Sequence, residues 1–538
     1  MSSADNYLTD KKLPRAACAE EVGVSGDEIQ RLIDDMFISG IDLHSIMVLR
    51  RGKVACEAWR RPLSEETAHM SFSVAKSFFA AAFGFALSEG VITRDTKLID
   101  VFPELRPEKT DSKLEKLRLY DLVSMTAGKR PSVLKRNNTS DDWLRDYINA
   151  PWVFSPGESW LYVSMNYYAA SAALTRLMGM SISEYLTPRL YEPLGIDVPF
   201  WETSPQGIDA GGWGMYLKTE DIAKLITCYQ HGGMFDGRQV IPESWAKEAV
   251  SLIHDTSAAE KAADCRAGYG CGFWRCAGME NTYRCEGLYS QYAIAFEDYD
   301  ASLVVTCGHA NLQHTLDVIW SHMKNAFIDG GEGHTSAQIQ IPPYDAPQES
   351  DIRPPLEKEL AGKTVRMKRN LFLNTIKMPT GMLPMPVVFL EKDRGGNIDN
   401  VRFAFDEKGV NVTWTEDTFG ENSIYCAMDG TLSPGHIYAD EIDAEVLSYA
   451  WWHDGKTLEL RVRPTGSVAE RRLVFIFNGN KVIMKPDAVP GIDENAKAIG
   501  DKIKCILTNR YFTTWVDILV PKVKNILQPD HKGRLRDL

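Results

Sequence analysis

Residues 73–89 read SVAKSFFAAAFGFALSE, and Gly90 follows them. The run is rich in Ala and Phe, and a glycine closes it as helices commonly close. Because it is apolar on nearly every side, it predicts a buried central helix rather than a surface one. Ser73 and Lys76 stand three residues apart at its start, so they share one helical face. A serine in the first turn lies beside unpaired backbone N–H groups and the positive end of the helix dipole. A lysine withdrawn from water loses part of its preference for the charged form and can then accept a proton. Together these meet the needs of a nucleophilic serine that has no histidine. The plainer reading is a helix-capping serine with a solvated lysine, but Ser77, Phe78 and Phe79 set Lys76 in apolar surroundings.

Working outward from this helix, residues 45–57 (SIMVLRRGKVACE) place apolar residues on both sides of a charged Arg50-Arg51-Gly52-Lys53 turn, which predicts a β-hairpin. Leu119–Thr126 and the patches up to Met180 read as helical. Gly268–Trp274, Tyr292–Phe296 and Ser302–Cys307 read as strands, and Leu312–Phe327 as a closing helix. Strands therefore bracket a helical insertion, and both ends of the domain feed one sheet. From Gly330 the texture changes to Gly, Pro, Ser and charge, as in a linker. Beyond it, short β-rich runs alternate with turns: Pro386–Leu390, Asn400–Phe405, Val410–Thr415, Ser423–Met428, Ser448–Trp452, Thr457–Pro464 and Arg472–Phe477. Asp454-Gly455 and Asn478-Gly479 are hairpin-type turns. The expected organisation is an α+β domain over 1–335, a linker over 336–355, a β-rich sandwich or barrel over 356–490 and a helical C-terminal segment over 491–538, with the helix at Glu494–Ile526 and a polar tail.

Several further segments, taken in order, resemble one family. His69-Met-Ser-Phe-Ser73-Val-Ala-Lys76-Ser77-Phe78 is similar to the nucleophile segment of the β-lactamase-related serine hydrolases. His44-Ser45 through Gly52-Lys53-Val54 resembles that family's opening hairpin. Leu119 to Gly128 resembles its leucine-rich stretch. Pro156-Gly157, Tyr162-Val163-Ser164-Met165-Asn166 and Ser171 resemble the second catalytic segment. Gly211-Gly212-Trp213-Gly214, Asp221 to Lys224, and Gly232-Gly233 to Trp245 resemble the block that follows. The likeness runs from Leu43 to Phe327. The 6-aminohexanoate-dimer hydrolases and nearby esterases are the most similar branch. It implies an antiparallel sheet flanked by helices with a helical insertion, and a serine hydrolase acting through an acyl-enzyme.

The resemblance gives Tyr162 the role of exchanging a proton with Ser73 and the leaving group, as phenol or phenolate. A neighbouring Lys76 ammonium would favour the phenolate, and the two would titrate together. Ser164 stands where the family usually has Asn, and Asn166 is a candidate to compensate. The third motif, a cation, one residue, then glycine, has two registers here. Cys285-Glu286-Gly287 gives the oxyanion-binding amide to Leu288; Leu288-Tyr289-Ser290 gives it to Gln291. Neither keeps the cation, which weakens a penicillin-type substrate, with Arg284 or Arg275 as candidate replacements. Trp213, Trp274, Tyr289 and His309 are candidate pocket residues, although packing is the first reading for each.

The net charge of −13 argues against broad nucleic-acid binding. The N-terminus has no apolar core of a leader, and no run matches a membrane helix, so a cytoplasmic protein is expected. Cys265, Cys271, Cys276 and Cys285 contain no C-x-x-C pair, and no metal or cofactor is expected. The expected partner is a small ester or amide. The β-rich region is read as a cover for the site or as a surface for homo-oligomers. An acyltransferase using the same acyl-enzyme, and an inactive binding protein of this fold, are the alternatives.

Overall fold

The computed structural model describes residues 12–108, 111–131, 141–328, 336–344, 352–368, 381–384, 387, 398–416, 419–439, 442–489, 491 and 529–537. The chain divides into two compact units, Met1–Pro342 and Pro343–Leu538.

The first unit is built on a six-stranded antiparallel sheet. Its strands are β1 (Leu43–Arg50), β2 (Lys53–Trp59), β3 (Trp274–Arg275), β4 (Thr282–Gly287), β5 (Gln291–Phe296) and β6 (Ala301–Cys307). They lie in the order β2-β1-β6-β5-β4-β3, so the two ends of the unit meet at β1 and β6, with Ile46 opposite Val305. Arg51 and Gly52 both take positive φ between β1 and β2, the geometry a two-residue hairpin requires. The alternate residues Ile46, Val48, Ile294, Leu303 and Val305 point to one face. There they join Ile29, Leu32 and Ile33 of α1 (Gly26–Ile38) and Leu316, Ile319 and Met323 of α5 (Leu312–Ala326) in one core.

The run that opens the sequence reading forms α2 (Ala75–Ser88), entered through a single 3₁₀ turn at Phe72–Val74. Every residue from Ala75 to Ala86 is buried, so α2 is the hub of the unit. Two more helices matter to the site: α3 (Ser164–Met178) and α4 (Thr219–Gln230). Gly84 lets the Trp245 ring press onto α2, and the indole N–H donates to the Ala80 carbonyl at 2.7 Å.

Three expectations need correction in this unit and the next. Gly268–Trp274 is not a full strand. Gly268 and Gly272 take positive φ and bend the chain, leaving Tyr269 in isolated bridges and only Trp274–Arg275 in the sheet. Residues 336–342, read as linker, pack on the first unit: Ile339 and Ile341 enter the α1/α5 core, and Gln340 and Gln30 exchange hydrogen bonds. In the C-terminal segment, His531–Asp537 is a strand. His531, Gly533 and Leu535 face inward between charged neighbours, an alternation that three lysines and arginines among seven residues disguise as a polar tail. The helix expected at Glu494–Ile526 lies outside the described residues, as does the strand at Pro386–Leu390 apart from Val387.

Among the described residues the second unit is one ten-stranded sheet: β7 (Lys363–Met367), β8 (Ile398–Phe405), β9 (Gly409–Glu416), β10 (Gly420–Ala427), β11 (Ser433–Ala439), β12 (Ile442–Asp454), β13 (Thr457–Pro464), β14 (Glu470–Asn478), β15 (Lys481–Val489) and β16 (His531–Asp537). Its order is β10-β9-β8-β7-β16-β15-β14-β13-β12-β11, and neighbours run antiparallel. A parallel bridge between Ala427 and Tyr449 joins β10 to β12 and curls the sheet into a barrel-like form. Val482, Met484, Pro486 and Ala488 of β15 are the less exposed members of a strict alternation, the pattern of a sheet with one buried face.

On helix propensity alone, Gly84→Ala should add up to about 1 kcal/mol of stability. The added Cβ would lie 2.0 Å from a Trp245 ring atom. The variant should instead lose about 1–3 kcal/mol, the cost of overpacking, seen as a lower midpoint in thermal unfolding.

Candidate active site

Ser73 lies in the 3₁₀ turn, and Lys76 follows in the first turn of α2. Lys76 is 1% exposed. Its Nζ donates to Ser73 Oγ at 2.8 Å, to Ser164 Oγ at 3.1 Å and to the Gly212 carbonyl at 2.6 Å. These three acceptors match the three N–H bonds of an ammonium. They also suit the neutral amine, which can keep donating to Ser164 and Gly212 while its lone pair accepts the Ser73 O–H.

The backbone before Ser73 is held under constraint. Phe72 takes φ 47°, a left-handed conformation costly for a residue with a large side chain. Ser71 donates both its N–H and its hydroxyl to the Met215 carbonyl, at 3.0 and 2.8 Å. His69-Met70 pairs with Tyr216-Leu217, and the Phe72 ring packs on Tyr289 at 5.3 Å. Gly287, the last residue of β4, is pressed onto the same segment: a Cβ there would sit 2.3 Å from the Ser71 carbonyl. Glycine at this position is therefore required by the protein's own backbone. Leu288 is the next residue, partly buried in the turn to β5. Gln291 pairs with Gly287 across the hairpin, and its side-chain amide is bound to the Leu288, Tyr289 and Cys307 carbonyls.

Tyr162 reaches the site from a short extended segment tied to Met125, which takes the Leu161 N–H at its carbonyl (2.9 Å) and the Val163 N–H at its sulfur (3.3 Å). Burial holds the Tyr162 hydroxyl above its ordinary pKa, and a hydrogen bond with the Ser73 side chain offsets this only in part. This favours the phenol over the phenolate. Lys76 Nζ faces the ring, 5.0 Å from its centroid. The Tyr162 ring stacks on Trp274 at 5.4 Å and 23°, with Trp160 and Tyr269 beside it.

The structure thus brings Ser73, Lys76, Tyr162 and Ser164 together, with Gly287 and Leu288 adjoining. It does not bring in Asn166, whose amide accepts from Tyr147 Oη at 2.7 Å and turns toward the Met125 sulfur. Cys285 points to Ser77, and burial pushes its thiol up to about 12, so it stays protonated. Trp213 packs against Trp143, and His309 bonds Thr315. Arg284, a candidate for the missing cation, is fully buried and paired with Glu286 at 2.8 Å; Arg275 donates to the Val250 carbonyl at 3.1 Å. Gly212 was missed by residue type, since a carbonyl carries no sequence signature. The Gly211-Gly212 pair was its signal. A Cβ on Gly212 would lie 2.8 Å from the Ser164 carbonyl, so only glycine lets this loop reach Lys76.

A buried polar chain also ends at this segment. Arg60 pairs with Asp42; Asp42 meets His44 at 3.1 Å, and His44 meets His69 at 2.8 Å. Burial and the neighbouring His44 push His69 down to about 3.

A family model named Beta-lactamase matches residues 34–317, just over half of the chain. The chain is 26% identical over 226 residues to a beta-lactamase of Escherichia coli (strain K12), covering 37% of this chain and 58% of that protein. It is 25% identical over 182 residues to the esterase EstB of Burkholderia gladioli, covering 30% of this chain and 46% of that one. The chain thus spans less than two thirds of the length of either relative. Among solved structures, an octameric penicillin-binding protein homologue from Pyrococcus abyssi is similar at a TM-score of 0.44 and 14% identity, covering 85% of this chain and 97% of that one.

Gly212→Ala should cost about 1–3 kcal/mol through the collision with Ser164, measured by denaturant unfolding. His69 gives a pH test. Its folded pKa lies below the unfolded value of about 6.5, so the unfolded chain binds the extra proton between those values. Its contribution to stability is complete above about 6.5 and fades as pH falls, by up to about 1.4 kcal/mol per pH unit. Urea midpoints between pH 7 and pH 4 should fall less steeply in His69→Asn than in the parent.

Proposed function

The chain belongs to the beta-lactamase family, and we propose that it is a serine hydrolase that cleaves an ester or amide of a small molecule through an acyl group on Ser73. The observation that carries this reading is the buried Lys76 amine, 2.8 Å from Ser73 Oγ in an S-x-x-K turn. Ser73 Oγ attacks the substrate carbonyl carbon as its proton passes to the neutral Lys76 amine. The oxyanion is received by the Ser73 and Leu288 amides. The carbonyl re-forms, the bond to the leaving oxygen or nitrogen breaks, and the Tyr162 phenol supplies the leaving group's proton. The proton on Lys76 returns Tyr162 to the phenol. Water then repeats the sequence: its proton enters the relay, its oxygen joins the acyl carbon, and Ser73 recovers its hydrogen. Ser164 completes the hydrogen bonding of Lys76. Its hydroxyl replaces an amide that would offer both a donor and an acceptor to substrate.

Substrates without a carboxylate suit this site best. Cys285 is directed to Ser77, Arg284 is committed to Glu286, and Arg275 to a backbone carbonyl. Neither Cys285 nor Arg284 offers a charge to a β-lactam or peptide carboxylate, and one arm of Arg275 is already bonded to the protein.

With a p-nitrophenyl ester, the protein should show a burst followed by slower turnover, and its intact mass should rise by the acyl group. Ser73→Ala should abolish both, and Lys76→Met should slow acylation by about 10²–10⁴-fold. Unchanged turnover in Ser73→Ala would overturn the assignment. Benzylpenicillin should leave no adduct under conditions in which the ester acylates the protein.

A further inference from the structure

We propose that Trp274 and Arg284 are positioning residues for Tyr162, holding its ring so that the phenol meets Ser73. The inference rests on the reading of Tyr162 as the proton carrier. Four groups form a continuous stack. Lys76 Nζ lies 5.0 Å from the centroid of the Tyr162 ring. The Tyr162 and Trp274 rings lie 5.4 Å apart and 23° from parallel. The Arg284 guanidinium carbon lies 5.7 Å from the Trp274 centroid. The lysine nitrogen and the arginine thus flank two stacked rings, an order favoured by the negative faces of aromatic rings, toward which N–H groups can point.

The far end of the stack is the fixed one. Trp274 on β3 and Arg284 on β4 are directly opposed, so their side chains stand on one face of the sheet as a cross-strand pair. Arg284 Nε and Nη2 meet Glu286 Oε2 at 2.8 and 2.7 Å. Nη1 donates to the Arg275 carbonyl at 2.7 Å and to the Asp264 carbonyl at 3.3 Å. The thiols of Cys276 and Cys265 lie 3.6 Å from Nη1 and Nη2. A planar fork bonded on every side cannot rotate. The near end is not fixed in this way. Tyr162 stands on a segment held through its backbone, at Leu161 and Val163 to Met125 and at the Val163 carbonyl to the Asn166 N–H, and its side-chain hydrogen bond is with the group it would serve, Ser73. The orientation of the ring must come from the rings beside it, and Trp274 is the one that lies flat against it.

A fully buried arginine with a single carboxylate partner is a poor way to gain stability, because desolvation offsets most of the attraction. Its geometry has a use here if it fixes an aromatic plane beside the reacting atoms. Displacing a reacting group by about 1 Å can cost about 100-fold in rate.

The test is a double-mutant cycle on p-nitrophenyl ester hydrolysis. Trp274→Leu should lower kcat by about 10- to 100-fold with KM nearly unchanged, and Trp274→Phe, which keeps a flat ring, should restore most of it. Because Trp274 acts through Tyr162, Trp274→Leu combined with Tyr162→Phe should be no slower than Tyr162→Phe alone. Additive losses, or a phenylalanine as damaging as the leucine, would overturn the proposal. If Trp274→Leu does not fold, Arg284→Met with Glu286→Gln, which removes both buried charges, carries the same cycle. Ser73→Ala or Tyr162→Phe retaining parental kcat would instead count against the catalytic reading on which the proposal rests.

Discussion

A primary amine removed from water governs the first unit. An unpaired buried ammonium would cost about several kcal/mol, so Lys76 can occupy its site only if three acceptors converge on it. Those acceptors come from three separate stretches of chain: Ser73 from the turn before α2, Ser164 from the start of α3, and Gly212 from a loop about fifty residues further on. Closing the site therefore means closing the unit. α2 must be buried to desolvate the lysine, α3 must begin against it, and the Gly211-Gly212 loop must come within bonding distance of both.

That requirement accounts for the glycines around the site. A Cβ on Gly211 would lie 2.7 Å from the Tyr167 carbonyl, on Gly212 2.8 Å from that of Ser164, and on Gly272 2.8 Å from that of Lys76. Each marks a place where one backbone rests directly on another. The strained Phe72 belongs to the same economy. Its neighbours on both sides are bonded into other elements, so the turn carrying Ser73 has no freedom to relax. Such strain persists only where the surroundings over-determine it, and it is common at functional sites.

Tyr162 differs from Lys76 in kind. The lysine is fixed by hydrogen bonds to its own nitrogen, whereas the tyrosine is placed by a sulfur, a carbonyl and the faces of neighbouring rings. Packing of this sort gives orientation without charge. It leaves the phenol neutral, since burial outweighs the one hydrogen bond that would favour its ionised form. The second unit shows a similar economy on a larger scale: strands such as β15 and even the charged β16 bury one face by alternation.

What the sequence determined by itself was local. A seventeen-residue run rich in Ala and Phe, with one Ser-x-x-Lys pair at its start, was enough to predict a buried helix with a hydroxyl and an amine on one face, because helical periodicity and apolar burial depend on neighbours in the chain. The opening hairpin, the closing helix and most of the C-terminal strands were legible for the same reason. Only the tertiary structure decided the rest. Ser164 faces Lys76 while Asn166, two residues on, turns to Tyr147, since their direction depends on how α3 packs. A carbonyl, that of Gly212, supplies a contact that no side-chain motif announces. Arg284 pairs with Glu286, two residues along its own strand, and lies against Trp274 across the sheet rather than at the site; the Trp274 contact is set by strand register and not by distance along the chain.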